Sequence, residues 1–538
     1  MIYLDYAATT PLDPLVLQAM LPHLAADDGF ANPASSHAAG FKARAAVDAA
    51  RAQVAALLGA EPAEIVWTSG ATESNNLAIK GALEFHGGRG AQKAHIVTSR
   101  TEHKCVLDTC RHLETQGVRV SFLKPATDGL VSPEQVLEAL TPDTVLVSLM
   151  WVNNEIGVVQ DVQRLAPLLR ERGVLFHVDA VQAAGKLPID LRAVPIDLLS
   201  VSAHKIYGPK GVGALFVRKR PRARLAPQMH GGGHEWGMRS GTLATHQVVG
   251  MGAAFELAAA RLHDDAARLA GLRDLLWQRL SGLPRILRNG DPQRGAPHLL
   301  NLSFEGVEGE ALRAALPELA VSSGSACSSA TQEPSYVLRA LGRDDELANA
   351  SLRFSLGRDT RAGQIETAAA MVIEQVQRLR ELSPLWAASG AASLGPATAS
   401  RQTRGEMSES GSNPFGYSAP ILRLFQETPR AGEFAAGTPG VVTAEAGSKA
   451  AHSVLRLQLL FEAGKVADAR FKAYGCPSSI AVGAWIAGWS LGRTRVELAA
   501  LRAADLRQAL EIADDRAHCA LLGEDAIRAA LAGNSTTN

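Results

Sequence analysis

The sequence predicts an α/β protein built on a mostly parallel sheet, followed by a second, smaller α+β unit. Three observations predict it. Short apolar runs recur through the first half of the chain, separated by helix-length segments of mixed polar and apolar residues. Each run stops at a cluster of polar residues, as the ligand-facing carboxyl ends of parallel strands do. After Trp386 the composition breaks, and alternating apolar residues resume near Val454.

In chain order, Ile65-Val-Trp-Thr68 runs into Ser69-Gly-Ala-Thr72-Glu73, a glycine-containing turn that opens a helix. The free N–H groups and dipole of such a helix start suit a phosphate. Ile96–Ser99 leads to Thr101-Glu-His103, and Val145–Val152 leads to Asn153-Asn154-Glu155. Leu175–Val178 delivers Asp179, and Asp197–Ser202 delivers His204 and Lys205. Core packing alone does not call for polar groups at five strand ends. Cys105 and Cys110 imitate a metal-ligand spacing, but no second ligand pair accompanies them, and a helix after the His103 turn accounts for both. His230 and His234 flank three glycines and read as a loop.

Lys205 gives this sheet its chemistry. A lysine amine can form a Schiff base with pyridoxal phosphate (PLP), and a carboxylate at the pyridine nitrogen keeps that nitrogen protonated so that the ring accepts electrons. Asp179 is the expected ring partner. Gln182, about one helical turn further on, is the expected donor to the ring's phenolic oxygen.

Residues 1 to about 386 resemble the NifS/IscS-type cysteine desulfurases. The resemblance is carried by Tyr3-Leu-Asp-Tyr-Ala-Ala-Thr-Thr-Pro11, Thr68–Ser74, His177-Val-Asp-Ala180, His204–Gly211, His230–Glu235, Arg239-Ser-Gly-Thr242 and Arg353-Phe-Ser-Leu-Gly357. It implies the PLP-dependent transferase fold type I, aspartate-aminotransferase-like, with a large domain over about 16–259 and a small domain formed by about 1–15 and 260–386. It also implies that His103 stacks on the cofactor ring and assists proton transfer, and that Thr72, Ser202 and His204 hold the phosphate. Ala71 and Asn154 complete the cofactor set. Thr242 would reach the phosphate of a neighbouring subunit, which implies a homodimer. Arg353 would clamp the carboxylate of the substrate, L-cysteine, aided by Asn32 and Asn154.

Ser322-Ser-Gly-Ser-Ala-Cys327-Ser-Ser-Ala330 places one cysteine among small residues, the composition of a loop. The resemblance makes Cys327 the nucleophile that takes sulfur as a persulfide and releases alanine. An ordinary aminotransferase has no use for such a thiol, which leaves a selenocysteine lyase as the nearer alternative.

Composition narrows the rest. Lys and Arg total 54 and Asp and Glu total 54, so a formal net charge of zero gives no electrostatic case for nucleic acid or an anionic membrane. Five cysteines without a disulfide-like framework suit a reducing compartment. With no signal peptide pattern at the N-terminus and no uncharged run of membrane-spanning length, a cytoplasmic protein is expected.

Residues 387–412, rich in Ala, Ser and Gly, read as a flexible linker spanning on the order of 30 Å. Residues 413 to 538 resemble the IscU/NifU-type iron–sulfur cluster assembly scaffold. The match rests on Val466–Ala481 and Ala517–Ile527, with antiparallel strands expected over Val454–Leu460 and Ala467–Lys472 and helices from Pro477 onward. The resemblance implies cluster or zinc ligands at Cys476, Cys519 and His518. Ala451 stands where the family has its first cysteine, and Ser453 where it has an aspartate. His452 beside the gap, or Cys327 carrying its persulfide, would be the replacement ligand. The chain therefore reads as a PLP-dependent desulfurase, a sulfurtransferase, whose partners are a sulfur acceptor or iron–sulfur assembly proteins. Its C-terminal domain is either a scaffold that lacks one ligand or a docking or regulatory appendage.

Overall fold

Strands buried on both faces read as nearly continuous apolar runs. The central sheet has seven strands, all of this kind except the half-exposed edge strand β3: β1 (Ile65–Thr68), β2 (His95–Ser99), β3 (Arg119–Leu123), β4 (Thr144–Met150), β5 (Leu175–Asp179), β6 (Leu198–Ser202) and β7 (Gly213–Val217). The computed structural model describes residues 1–25, 29–86, 94–323, 333–388 and 415–532. The strand order is β1-β7-β6-β5-β4-β2-β3. β7 is antiparallel to both of its neighbours, β1 and β6, while the remaining pairings are parallel. Six strands therefore point the same way, and the polar clusters at their ends meet on one edge.

Side-chain alternation splits the core in two. Ile65, Trp67, Val97, Leu199 and Val201 face one cluster, packed beneath helices α1 (Ala38–Leu58) and the first part of α4 (Thr245–Leu280). Val66, Ile96 and Leu198 face the other, beneath α2 (Ala71–His86) and α3 (Lys104–Thr115). Cys110 is buried inside α3, where burial pushes its thiol up to about 12.

Helix α4 runs 36 residues and links two bodies. Val248 to Ala258 belong to the central-sheet core, whereas Leu269 to Leu280 pack with a smaller antiparallel sheet of β8 (Ile286–Arg288), β9 (Leu299–Phe304) and β10 (Ser351–Ser355). The N-terminal strand Ile2–Tyr3 joins this side by pairing with Leu319–Ala320. Short helices α5 (Gly309–Ala314) and α6 (Asp345–Asn349) and the long helix α7 (Ala362–Leu382) complete it.

Most of the expected 387–412 linker lies outside the described residues, although 387 and 388 end a helix, Pro384–Ala388. Beyond it, α8 (Ala419–Glu427) precedes an antiparallel meander of β11 (Val441–Ser448), β12 (Ser453–Glu462) and β13 (Lys465–Tyr474). Helices α9 (Pro477–Trp489) and α10 (Ala517–Ala532) pack on the meander. The two expected strands fall inside β12 and β13, and β11 adds a third that the sequence reading lacked. This unit docks on the small antiparallel body and shares a continuous apolar core with it. Arg516 crosses the seam to Glu310 at 2.8 Å and lies 3.8 Å over the Tyr417 ring. Glu346 of α6 receives Lys449 at 2.7 Å and the Tyr474 hydroxyl at 3.3 Å. Among the described residues no helix is long and apolar enough to cross a membrane.

Candidate active site

The polar strand ends enclose a cavity of 570 Å³, within the range of about 300–1,000 Å³ usual for small-ligand sites. Ala71, Thr72, His103, Asn154, Asp179, Gln182, Ser202, His204, Lys205 and Arg353 all line it. The cavity floor starts at Gly70, whose φ of 153° lies where side chains rarely go, and the chain then turns into α2. Gly213 of β7 allows that approach, since a Cβ there would stand 2.7 Å from Gly70 Cα. The unpaired N–H groups at Ala71 and Thr72 thus face the cavity where an anion is best held.

Asp179 ends β5 with both carboxylate oxygens engaged. Oδ2 accepts from Asn75 Nδ2 at 2.8 Å and Oδ1 accepts from Val181 N at 3.0 Å. Donors on both oxygens fix the orientation of the carboxylate at the cavity wall. Lys205 Nζ donates to Ala7 O at 2.7 Å and Ala8 O at 2.6 Å. Gln182 lies on a turn rather than a helix, in which the Ala183 and Ala184 N–H groups donate to Ala180 O just before Gly185 at φ 69°, and its Nε2 donates to Ala7 O at 3.0 Å.

His103 caps α3, and its Nδ1 accepts the Cys105 backbone N–H at 3.2 Å. An accepting Nδ1 puts the proton of the neutral ring on Nε2. His204 pairs its Nδ1 with Thr9 Oγ1 at 3.2 Å. Burial, with Lys205, Lys210 and Lys186 nearby, pulls its pKa down to about 4, so the ring is neutral at physiological pH. Arg353, only 3% exposed at its side chain, donates from Nη2 to Asp5 Oδ1 at 2.7 Å and from Nη1 to Asn154 O at 3.0 Å. Arg353 Nε and Asn154 Oδ1 are buried without a protein partner. Two unsatisfied polar atoms at a cavity wall are costly unless a ligand meets them, so the donor set fits PLP with an amino-acid substrate.

Asn32 and Thr242 do not join this group. Both are exposed and absent from the cavity wall, and Asn32 turns its Oδ1 onto Ala34 N at 2.9 Å. Cys327 lies outside the described residues. Sequence reading missed Asn75, Lys210 and Lys186. Asn75 lies among polar residues of α2, Thr72-Glu-Ser-Asn-Asn76, so nothing local marks it out. Lys186, half-buried with its Nζ donating to Lys205 O at 3.0 Å, has its pKa pulled to about 7 by desolvation and then by Lys205 and Arg358.

The second set sits on the C-terminal unit. Cys476 precedes α9, and Cys519, fully buried on α10, brings its Sγ to 3.6 Å from Cys476 Sγ. His518 Nε2 lies 3.4 Å from Cys519 Sγ. Ser479 Oγ contacts Cys519 Sγ at 3.4 Å and Ser453 Oγ at 2.9 Å. The hydrogen bond from Cys519 lowers the Cys476 pKa, while the same contact raises that of Cys519. Ala451 and His452 lie on the exposed turn between β11 and β12. No group of three or more His, Cys, Asp or Glu residues is arranged to hold a metal ion among the described residues. Cys519 contacts both His518 and Cys476, and the Ser453–Ser479 pair lies beside it. Two thiols and one imidazole are fewer than the four ligands that a structural zinc or an iron–sulfur cluster takes.

Comparison with known proteins places both parts. Residues 2–367 match the family described as aminotransferase class-V, and residues 416–536 match the NifU-like N terminal domain. The cysteine desulfurase IscS of Pseudomonas aeruginosa strain UCBPP-PA14 is 59% identical over 386 residues, covering 72% of this chain and 95% of that protein. A solved NifS-like protein aligns with a TM-score of 0.64 and 33% identity over 69% of this chain and 98% of its own. The structure of SspA in complex with cysteine aligns with a TM-score of 0.59 and 40% identity over 66% of this chain and 99% of its own. IscS-type enzymes use PLP, in keeping with the Lys205 cavity. The chain belongs to the class-V aminotransferase family as an IscS-type cysteine desulfurase, carrying a NifU-like N-terminal domain at its C-terminal end.

Proposed function

We propose that the protein takes sulfur from L-cysteine as a persulfide on Cys327, leaves L-alanine, and supplies that sulfur to iron–sulfur cluster assembly. The observation that carries this reading is the convergence of Lys205, Asp179, His103 and Arg353 on one cavity at the sheet's carboxyl edge. The cysteine held in complex by SspA, a protein of similar fold, supports the substrate.

PLP, when bound, supplies the electron sink that lets a substrate proton leave from carbon. Asp179 would meet the ring nitrogen, and the α2 start with Ser202 and neutral His204 would hold the phosphate. Arg353 binds the substrate carboxylate through donors that Asp5 and Asn154 leave in place. Lys205 Nζ moves the substrate's protons, and His103, with its proton on Nε2, assists. Cys327 attacks the substrate sulfur; the carbon–sulfur bond breaks, its electron pair stays on carbon, and that carbon takes a proton to give alanine.

The enzyme works as a cytoplasmic homodimer. Leu15, Leu17, Leu21, Phe30 and Phe41 are large apolar side chains exposed on the single chain, as an interface would leave them, and Thr242 is exposed for a partner's phosphate. Four cysteines are free among the described residues, in keeping with a reducing compartment. Replacing Cys327 by Ser should keep the visible cofactor absorbance and cut alanine formation at least about 100-fold. Near-normal alanine release by that variant would remove Cys327 from the mechanism.

A further inference from the structure

The NifU-like unit holds two thiols 3.6 Å apart but no third soft ligand beside them among the described residues. Ser453, at the position of the family's aspartate, and Ser479 hydrogen-bond to each other at 2.9 Å, and Ser479 turns onto Cys519. Two cysteines at this spacing need to approach by only about 1.5 Å to reach the S–S bond length of about 2.05 Å. They differ in access. Cys476 is half-buried at the start of α9, whereas Cys519 is fully buried behind it.

We propose that Cys476 and Cys519 form a dithiol site that accepts a sulfane sulfur from a persulfide and releases it as sulfide. The proposal rests on the desulfurase reading for its natural sulfur source. In the first step Cys476 attacks the outer sulfur of a donor persulfide; the donor S–S bond breaks, a persulfide forms on Cys476, and the donor leaves as a thiol. In the second, Cys519 attacks the Cys476 Sγ, the new bond becomes a Cys476–Cys519 disulfide, and hydrogen sulfide departs. The sulfane sulfur gains the two electrons that the two thiols lose. The protons of Cys519 and of the persulfide leave with the sulfide, His518 Nε2 being the adjacent base at 3.4 Å. Each further cycle consumes a dithiol reductant, which reopens the disulfide. The unit would then serve as a reductase for sulfane sulfur, a role that needs two cysteines and no bound metal.

Tryptic cleavage isolates each thiol, Cys476 in residues 473–493 and Cys519 in residues 517–528. The full-length holoenzyme, reduced, desalted and kept anaerobic, receives a stoichiometric pulse of cysteine without reductant. Alanine, sulfide and non-reduced peptides are then measured. The expected result is alanine, sulfide and a cross-linked 473–493/517–528 pair. Cys519→Ser should hold one extra sulfur on Cys476 and release about tenfold less sulfide, and Cys476→Ser should give no cross-link. Alanine with no cross-link, and equal sulfide from all three proteins, overturns the inference. If no alanine appears, the desulfurase reading has failed, and the same proteins are given glutathione persulfide. Cross-linking and sulfide release with that donor uphold the dithiol site, and their absence overturns it.

Discussion

The Lys205 cavity and the Cys476 pair are both built from polar groups at the ends of buried elements, yet they spend those groups differently. Around Lys205, strands bring groups from distant positions to one edge and leave Asn154 Oδ1 and Arg353 Nε unmet by protein. Around Cys476, the polar groups satisfy one another through Ser453, Ser479 and Cys519. A ligand site and a self-satisfied cluster can share residue types. They differ in where the remaining hydrogen-bonding directions point.

The largest expected effect separates the two outright. Lys205→Ala should lower turnover by at least about 10³-fold and let the visible cofactor absorbance dialyse away against a carbonyl scavenger. The reactivity of Cys476 toward a thiol reagent should not change. Loss of both together would mean that the two sites are one system.

A smaller effect tests self-satisfaction. Ser479→Ala strands the Ser453 hydroxyl in a buried position and should cost about 1–3 kcal/mol, read as a shift in the denaturant midpoint of the C-terminal unit. An unchanged midpoint would show that the serine pair does not stabilise the cluster.

A gradual effect, at most about 1.4 kcal/mol for each pH unit, concerns Lys186, whose pKa falls to about 7 in the folded protein against an ordinary value of 10.5. Between those values the unfolded chain binds a proton that the folded chain does not, so stability rises with pH across that window. Lys186→Met should flatten that slope, and denaturant titrations of both holoenzymes from pH 7 to 10 would reveal an unaltered slope if Lys186 stays charged in the folded protein.

The sheet was legible because its strands are apolar on both faces and stop abruptly at Thr68, Ser99, Asp179 and Ser202. β11 was not, since Val441-Val-Thr-Ala-Glu-Ala-Gly-Ser448 carries few large apolar residues and is held chiefly by pairing with β12. Ten cavity residues could be named from strand ends and motifs, but Asn75 sits inside a helix, where polar residues usually face water. Asn32 and Thr242 came from resemblance alone, and for Thr242 one chain cannot show a role that belongs to two. The missing ligand at Ala451 was visible in the sequence. That Ser453 would turn to Ser479 depended on packing across β12 and α9, which no local pattern records.

The docked C-terminal unit also alters competition. Because Arg516, Lys449 and Tyr474 already occupy Glu310 and Glu346, a separate protein seeking the same face meets a tethered rival. Being part of the same chain, that rival is present at one copy per enzyme by translation, and its hold on the face does not weaken on dilution.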